Sequence, residues 1–298
     1  MKDYLCFDLG GTNIKYGIVT SHGDIKLSNK MPTGKITDGD LIYQRFLALY
    51  NELSITHEIR GIGISSHGVV DLERQLISSG SNYVKALIDY PLAEKLSCDT
   101  KLPVILENDV NAAALGELWQ GEGKNHQNIV FLTLGTSIGG AIIINGSLYR
   151  GRNNRAGEIG YMITQSQDTT NPLIPGAWEG FASSSALIRN YQSAMNDTTL
   201  NHIDLLHCIK NNHTPAVKIL NQYIHELGAG LVSLAHIFAP DAIILGGAIS
   251  EEKMLFPQIQ TNFAQRVLSG YEHTPILPAC CQNHAGILGV ASLLNKCS

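Results

Sequence analysis

With 298 residues, 44% of them apolar and 16% charged, the chain has the composition of a globular protein with a sizeable core. That length suits about two domains or one large α/β unit. The formal net charge of −5 lacks the basic footprint of a nucleic-acid binder. The first apolar run is short and ends at Asp8, and no stretch approaches about 18 uninterrupted apolar residues. The expectation is a soluble, cytoplasmic protein with no signal peptide, no membrane partner and no nucleic-acid partner. Cys6, Cys98, Cys208, Cys280, Cys281 and Cys297 include no CxxC pair, so free thiols in a reducing compartment are expected.

In chain order, Tyr4–Asp8 reads as a short strand that runs into Gly10-Gly11-Thr12. Asn13–Thr20 is a second strand, His22-Gly23-Asp24 a turn, and Ile25–Lys30 a third strand, which together suggest an antiparallel meander. Leu41–Leu53 carries apolar residues at helical spacing. Ile59–Ser65 alternates Gly with Ile, as in a buried strand closely approached by other backbone. A short helix over Leu92–Leu96, a strand over Val104–Leu106 and a helix over Ala112–Gln120 follow. The composition breaks at Gly121–His126.

A second β-rich stretch starts at Ile129–Leu134 and runs into Gly135-Thr136-Ser137-Ile138-Gly139-Gly140. The strand Ala141–Asn145 then meets the hairpin signal Asn145-Gly146. FDLGGTNIKYGIVTSHGD is thus echoed by LTLGTSIGGAIIINGS, roughly 125 residues later, which marks an internal repeat. Helices are expected over Trp178–Asn190, Pro215–Phe238, Gln258–Leu268 and Ala285–Leu294, with a strand over Ala242–Leu245. Helices and strands alternate throughout, so the class is α/β.

Four constellations could carry chemistry. Asp8 and the Gly10-Gly11-Thr12 turn offer backbone N–H groups to an oxyanion, and Asp8 could hold the water shell of a magnesium ion. A plain hairpin with an Asp cap is the competing reading. Gly135, Thr136, Ser137 and Gly139 form the matching turn of the second half, and two such turns could clamp a polyphosphate. Gly246 and Gly247, after a buried strand, permit close approach of a flat group such as a purine, although a simple strand-to-helix turn explains them as well. Asp109 follows a strand at the mouth of a helix, where α/β sites form. It could accept a hydroxyl proton. On the local pattern alone, an N-cap is the simpler role for Asp109.

Taken together the motifs resemble the ROK sugar kinases of the hexokinase, Hsp70 and actin superfamily. The likeness runs in order through FDLGGTNIKYGIV, GIGISSHGVVD, ENDVNAAALGE, LTLGTSIGGAII, RAGEIGY, WEGFASSSALI, AIILGGAIS and HAGILGVASL. It implies a two-domain, actin-like ATPase (ribonuclease H-like) α/β fold with a cleft between the domains. The N-terminal domain would be 1–120, completed by the helix 285–298, and the C-terminal domain 121–284. The resemblance implies ATP and Mg²⁺ as cofactors. Asp8, Gly10, Gly11 and Thr12 would match the first phosphate motif, with Asp8 holding Mg²⁺ through water. Gly135, Thr136, Ser137 and Gly139 would match the second, and Gly246 and Gly247 the adenosine motif. Asp109 matches the general base. Gly68, Asn82, Asn108, Glu158 and Glu179 match residues around the sugar. A homodimer is the family's usual state.

The chain departs from many ROK proteins where a His and CxCGxxGC would hold zinc. Tyr161 stands at the His position, and no cysteine follows in MITQSQDTTNPLIPGA. No zinc site is therefore expected, and Tyr161 would pack or donate one hydrogen bond instead. The expected activity is transfer of the ATP γ-phosphoryl group to a hexose-type sugar at its 6-hydroxyl. Glucose, N-acetylmannosamine, fructose and β-glucosides are the candidate acceptors. A non-catalytic sugar sensor of the same family is the alternative.

Overall fold

The computed structural model describes residues 2–80, 82–166 and 174–297, without the side chains of Asn82, Ile249 and Ser250. In chain order the elements begin with β1 (Asp3–Leu9), β2 (Asn13–Thr20), β3 (Ile25–Pro32), α1 (Gly39–Leu53) and β4 (Ile59–Ser66). Next come β5 (Val69–Asp71), β6 (Leu76–Ser79), α2 (Leu92–Thr100), β7 (Val104–Asn108) and α3 (Asp109–Gln120). The later part holds β8 (Ile129–Leu134), β9 (Ile138–Ile144), β10 (Ser147–Leu148), α4 (Glu179–Ala182), α5 (Ser184–Met195) and α6 (His202–Lys210). It continues with α7 (Thr214–Phe238), β11 (Ala242–Gly247), α8 (Phe256–Ala264), β12 (Ile276–Pro278) and α9 (Ala285–Lys296). Two compact units result. The first gathers Met1–Asn125, Leu148–Ala156 and Cys281–Ser298; the second gathers His126–Ser147 and Gly157–Cys280.

In the first unit the sheet order is β3-β2-β1-β4-β7. The meander β1-β2-β3 is antiparallel, whereas β4 and β7 run parallel to β1. Both faces are covered, so β1 is apolar on both sides. Leu5, Phe7 and Leu9 join the cluster with Ile62, Ile64 and Leu96, and Phe7 stacks on Phe46 of α1 at a centroid distance of 3.8 Å. Tyr4 and Cys6 join the opposite cluster, which contains Ala112 of α3 and Ile287, Val290 and Leu294 of α9. The Gly-Ile alternation of β4 has its cause on this side. A Cβ on Gly63 would lie 2.7 Å from Val290, and one on Gly61 2.9 Å from Leu294, so the glycines let α9 seat directly on the strand.

The second unit repeats the plan with the order β10-β9-β8-β11-β12. Its strand β9 is antiparallel to β8, whereas β11 is parallel to β8 and β12 to β11. The core is built on α7, whose buried Leu220, Ile224, Leu227, Leu231 and Leu234 recur at helical spacing. Trp178 is fully buried and donates its indole N–H to the Glu226 carbonyl at 2.8 Å. Gly230 makes room for that ring, since any Cβ there would lie 2.1 Å from it.

The helix expected over Trp178–Asn190 is two helices. Ser183 between them is extended (φ −75°, ψ 159°), and its hydroxyl caps α5 by accepting from Ala186 N. The break is a capping event that the apolar pattern does not report. Helix α6 and the hairpin β5-β6 were also not anticipated. Among the described residues no helix is long and apolar enough to cross a membrane. Among the described residues no cysteine forms a disulfide.

Candidate active site

The sheet register of the first unit lines up its polar residues. Asp8 pairs with Ser65 across β1-β4, and Ser65 with Glu107 across β4-β7. The C-terminal ends of three adjacent parallel strands therefore carry Asp8, Ser65–Ser66 and Glu107–Asn108 side by side. Ligands of open α/β sheets bind at such ends.

The turn after β1 is tightly tied. Gly10 N–H donates to the carbonyls of Asp8 and Asn13, both at 3.1 Å. Thr33 holds it from outside, its N–H donating to Thr12 O at 2.9 Å and its hydroxyl to Gly10 O at 2.6 Å. Gly11 and Thr12 are left exposed. Asp8 Oδ1 accepts from the Ser65 hydroxyl at 2.8 Å, and Oδ2 lies 3.6 Å from Lys15 Nζ. Burial pushes the Asp8 carboxyl above the usual carboxylate range; Lys15 and Ser65 pull it back, and the charge of Asp109 pushes it up. Tyr83, whose hydroxyl reaches the Leu9 carbonyl at 3.4 Å, is pushed up to about 12 by burial and then by the charges of Asp8 and Asp109. Asp8, Tyr83 and Asp109 thus share one electrostatic neighbourhood.

Asp109 is not the helix cap. Asn108 is the N-cap of α3, its Oδ1 accepting from Val110 N at 3.0 Å and Asn111 N at 3.1 Å. Asp109 is the first helical residue. Its Oδ1 accepts from Val110 N at 2.9 Å and from Asn108 Nδ2 at 3.0 Å, and its side chain is 36% exposed. The Asn108 amide also donates to the Gly68 carbonyl at 3.1 Å. Gly68 has φ +108°, a conformation that disfavours L side chains. A Cβ there would also sit 2.7 Å from Ser79 O. The side chain of Asn82 lies outside the described residues.

The first unit also contains residues that the sequence reading passed over. His67 belongs to none of the four constellations, yet its Nδ1 lies 3.8 Å from Asp109 Oδ2. Lys15 reaches Asp8 because the two are cross-strand partners. Period-two alternation after DLGGT could have suggested that pairing. Glu107 is fully buried.

The second unit brings together the other set. Strand β8 ends at the Gly135–Ser137 turn, where Gly135 N–H donates to Ser137 O at 3.1 Å. The start of α5 braces this turn from behind, with Ser184 Oγ donating to Leu134 O at 3.0 Å and Ser185 N to Gly135 O at 3.3 Å. Thr136 and Ser137 stay exposed. Register places Gly246 beside Thr133 and Gly247 beside Leu134, so the glycine pair adjoins the turn. Gly247 has φ +79°, and a Cβ on it would lie 2.5 Å from Leu134 O.

Glu158 and Glu179 both lie near Tyr161 in this unit. The segment after Gly157 packs on β9, close enough that a Cβ on Gly160 would meet Ile138 O at 2.3 Å. Glu179 follows the anchored Trp178. Burial raises the Tyr161 phenol above its ordinary value, and the charges of Glu179 and Glu158 raise it further. Both carboxylates therefore act on one partly exposed phenol. Within the stretch expected to lack zinc ligands, residues 167–173 lie outside the described residues.

The chain matches the ROK family over residues 4–297. A glucokinase of Streptomyces coelicolor is 33% identical over 313 aligned residues, covering 97% of this chain and 96% of that one. A beta-glucoside kinase of Listeria innocua is 32% identical over 287, covering 95% and 94%. The structure of a ROK family glucokinase from Streptomyces griseus, in complex with glucose and AMPPNP, superposes with a TM-score of 0.80 at 30% identity and covers 98% of both chains. Its two α/β sheets of matching topology and this agreement along nearly the whole length place the chain in the ROK family, with an actin-like ATPase fold.

Proposed function

We propose that this ROK protein is an ATP-dependent sugar kinase that phosphorylates a hexose-type sugar at its 6-hydroxyl, with Asp109 as the general base. One observation carries the reading: Asp8 and the Asn108–Asp109 pair stand at the C-terminal ends of the two parallel strands that flank β4, close enough for the charge of Asp109 to act on Asp8. A sugar hydroxyl presented to Asp109 gives its proton to the carboxylate as the oxygen attacks the γ-phosphorus, and ADP departs with the electrons of the broken P–O bond. The Asn108 amide holds that carboxylate in place and ties it to the Gly68 carbonyl, and Gly68 would lie beside the sugar. Glu158 and Glu179, with Asn82, would hydrogen-bond the remaining sugar hydroxyls.

The Gly10–Thr12 turn and the Gly135–Gly139 turn would each present backbone N–H and hydroxyl donors to ATP phosphates, and Gly246 and Gly247 would lie beside adenosine. Asp8 fits a hydrated magnesium ion. Its half-buried carboxylate already faces the cation of Lys15, and a further positive charge would offset the desolvation that raises its pKa. When bound, magnesium would neutralise phosphate charge. Cytoplasmic location and a homodimeric state belong to the same reading.

The relatives named for glucose and β-glucosides make these two the first acceptors to assay, beside N-acetylmannosamine and fructose. With Mg-ATP, the wild-type protein should release ADP in a sugar-dependent manner. Asp109→Asn should bind the sugar and lose turnover, by roughly 10²–10⁴-fold for removal of a general base. Normal turnover in Asp109→Asn refutes the base assignment, and sugar binding without ADP release by the wild type makes the protein a sensor.

A further inference from the structure

Glu107 is a carboxylate with no solvent exposure, one residue before the cap and two before the proposed base. A buried charge of this kind persists only when it is paired and hydrogen-bonded. Its Oε1 accepts from Asn108 N at 2.8 Å, from Asn111 Nδ2 at 3.2 Å and from Asn154 Nδ2 at 3.5 Å. Its Oε2 forms an ion pair with Arg150 Nη1 at 2.7 Å. Arg150 in turn donates to Asn154 Oδ1 at 2.9 Å.

Arg150 and Asn154 come from the strip Leu148–Ala156, which packs with the first unit. The strip has unusual backbone, with Gly151, Asn153 and Asn154 all at φ between 55° and 61°. Asparagine and glycine tolerate this region better than other residues. Such conformations persist where surrounding contacts over-determine them. The contacts here are Arg150 and Glu107 on one side and the Val70 carbonyl, which accepts from Asn154 Nδ2 at 3.3 Å, on the other. The Asn108 amide reaches Gly68 O, two residues away. Asn108 and Asn154 therefore tie the same short stretch, Gly68–Val70, to Glu107.

We propose that Arg150 and Asn154 are positioning residues that hold Glu107, and through it the Asn108–Asp109 turn, in the orientation that aims the Asp109 carboxylate. This rests on the reading of Asp109 as base. The guanidinium is committed to Glu107 and Asn154, so its part in turnover is indirect. Glu107 accepts directly from the N–H of Asn108, the peptide that fixes where both the cap amide and Asp109 point. A displacement of about 1 Å at a reacting group costs on the order of 10²-fold in rate.

The test is steady-state kinetics of the full-length protein with Mg-ATP and its best sugar, beside thermal unfolding. Arg150→Met should lower kcat by roughly 10²-fold while changing the KM for ATP less than about 2-fold. Arg150→Lys keeps the charge and should recover most of the lost kcat. The double variant Glu107→Gln/Arg150→Met removes both charges and should be less impaired than the sum of its single variants. If Arg150→Met does not fold, Asn154→Ser takes its place, with a kcat loss of about 5-fold expected from a single displaced hydrogen bond. Unchanged kcat in the folded variant overturns the proposal, as does a rise in sugar KM with kcat intact, which would make Arg150 a substrate contact. Asp109→Asn run in parallel separates the two ideas. Turnover there refutes the base itself, whereas an inactive Asp109→Asn beside a fully active Arg150→Met refutes only the positioning.

Discussion

Asn108 performs two jobs that a pair of substitutions can separate. Its Oδ1 caps α3 through Val110 N and Asn111 N, and its Nδ2 holds Asp109 Oδ1 at 3.0 Å and Gly68 O at 3.1 Å. Asn108→Ala removes both. Loss of the cap costs about 1 kcal/mol, and loss of the amide hydrogen bonds about another 1 kcal/mol. The sum of about 2 kcal/mol corresponds to a fall in Tm of roughly 4–8 °C for a chain of this size. Asn108→Ser keeps a capping oxygen and lacks the amide, so it should lose only about half as much. Stability, followed by circular dichroism during heating, should therefore rank Asn, Ser, Ala. Turnover, followed by coupled ADP release, should not follow that ranking. Both variants lose the donor that orients the base, and both should drop by a similar factor of roughly 10–10². If Ser restored turnover in step with stability, Asn108 would matter only as a cap, and the argument that its amide aims Asp109 would fail.

Two further outcomes follow from the same geometry. Burial raises the folded pKa of Asp8 above its unfolded value, so its contribution to stability is fully present below about pH 3.9 and is lost as pH rises through the raised value. Asp8→Asn, which keeps an oxygen for Ser65, should therefore unfold at a higher temperature than wild type near pH 7, with the difference shrinking toward pH 4, while kinase turnover is lost; a variant less stable than wild type at pH 7 contradicts this. In the second unit, Glu158→Gln and Glu179→Gln should each raise the sugar KM by roughly 10–10²-fold, the worth of a hydrogen bond to a charged group, and leave the ATP KM unchanged. A change confined to ATP would remove them from the sugar site.

Much of the site was legible because its parts are local. The turn after β1 and the turn after β8 are short glycine-bearing links between strands, and their repetition in FDLGGT and LTLGTS is visible without coordinates. The alternation in Ile59–Ser65 anticipated close packing, and α9 supplies it through Val290 and Leu294. The cap of α3 was misassigned by one residue, because Asn108 and Asp109 are both good caps and only the backbone decides between them. The break at Ser183 was missed because its cause is tertiary in part: Ser184 and Ser185 turn aside to bond Leu134 and Gly135, some fifty residues earlier.

By itself, the order of residues determined the class, the doubled sheet plan and the motif-bearing residues, since these depend on periodicity, turn chemistry and the spacing of glycines and carboxylates. Only the tertiary structure decided which distant groups meet. Cross-strand register set Lys15 against Asp8, the loop after β4 brought His67 toward Asp109, and the strip 148–156 delivered Arg150 to a carboxylate 43 positions earlier in the chain. Such meetings follow from register and from the pairing of buried charge, and neither quantity is written in any single stretch of sequence.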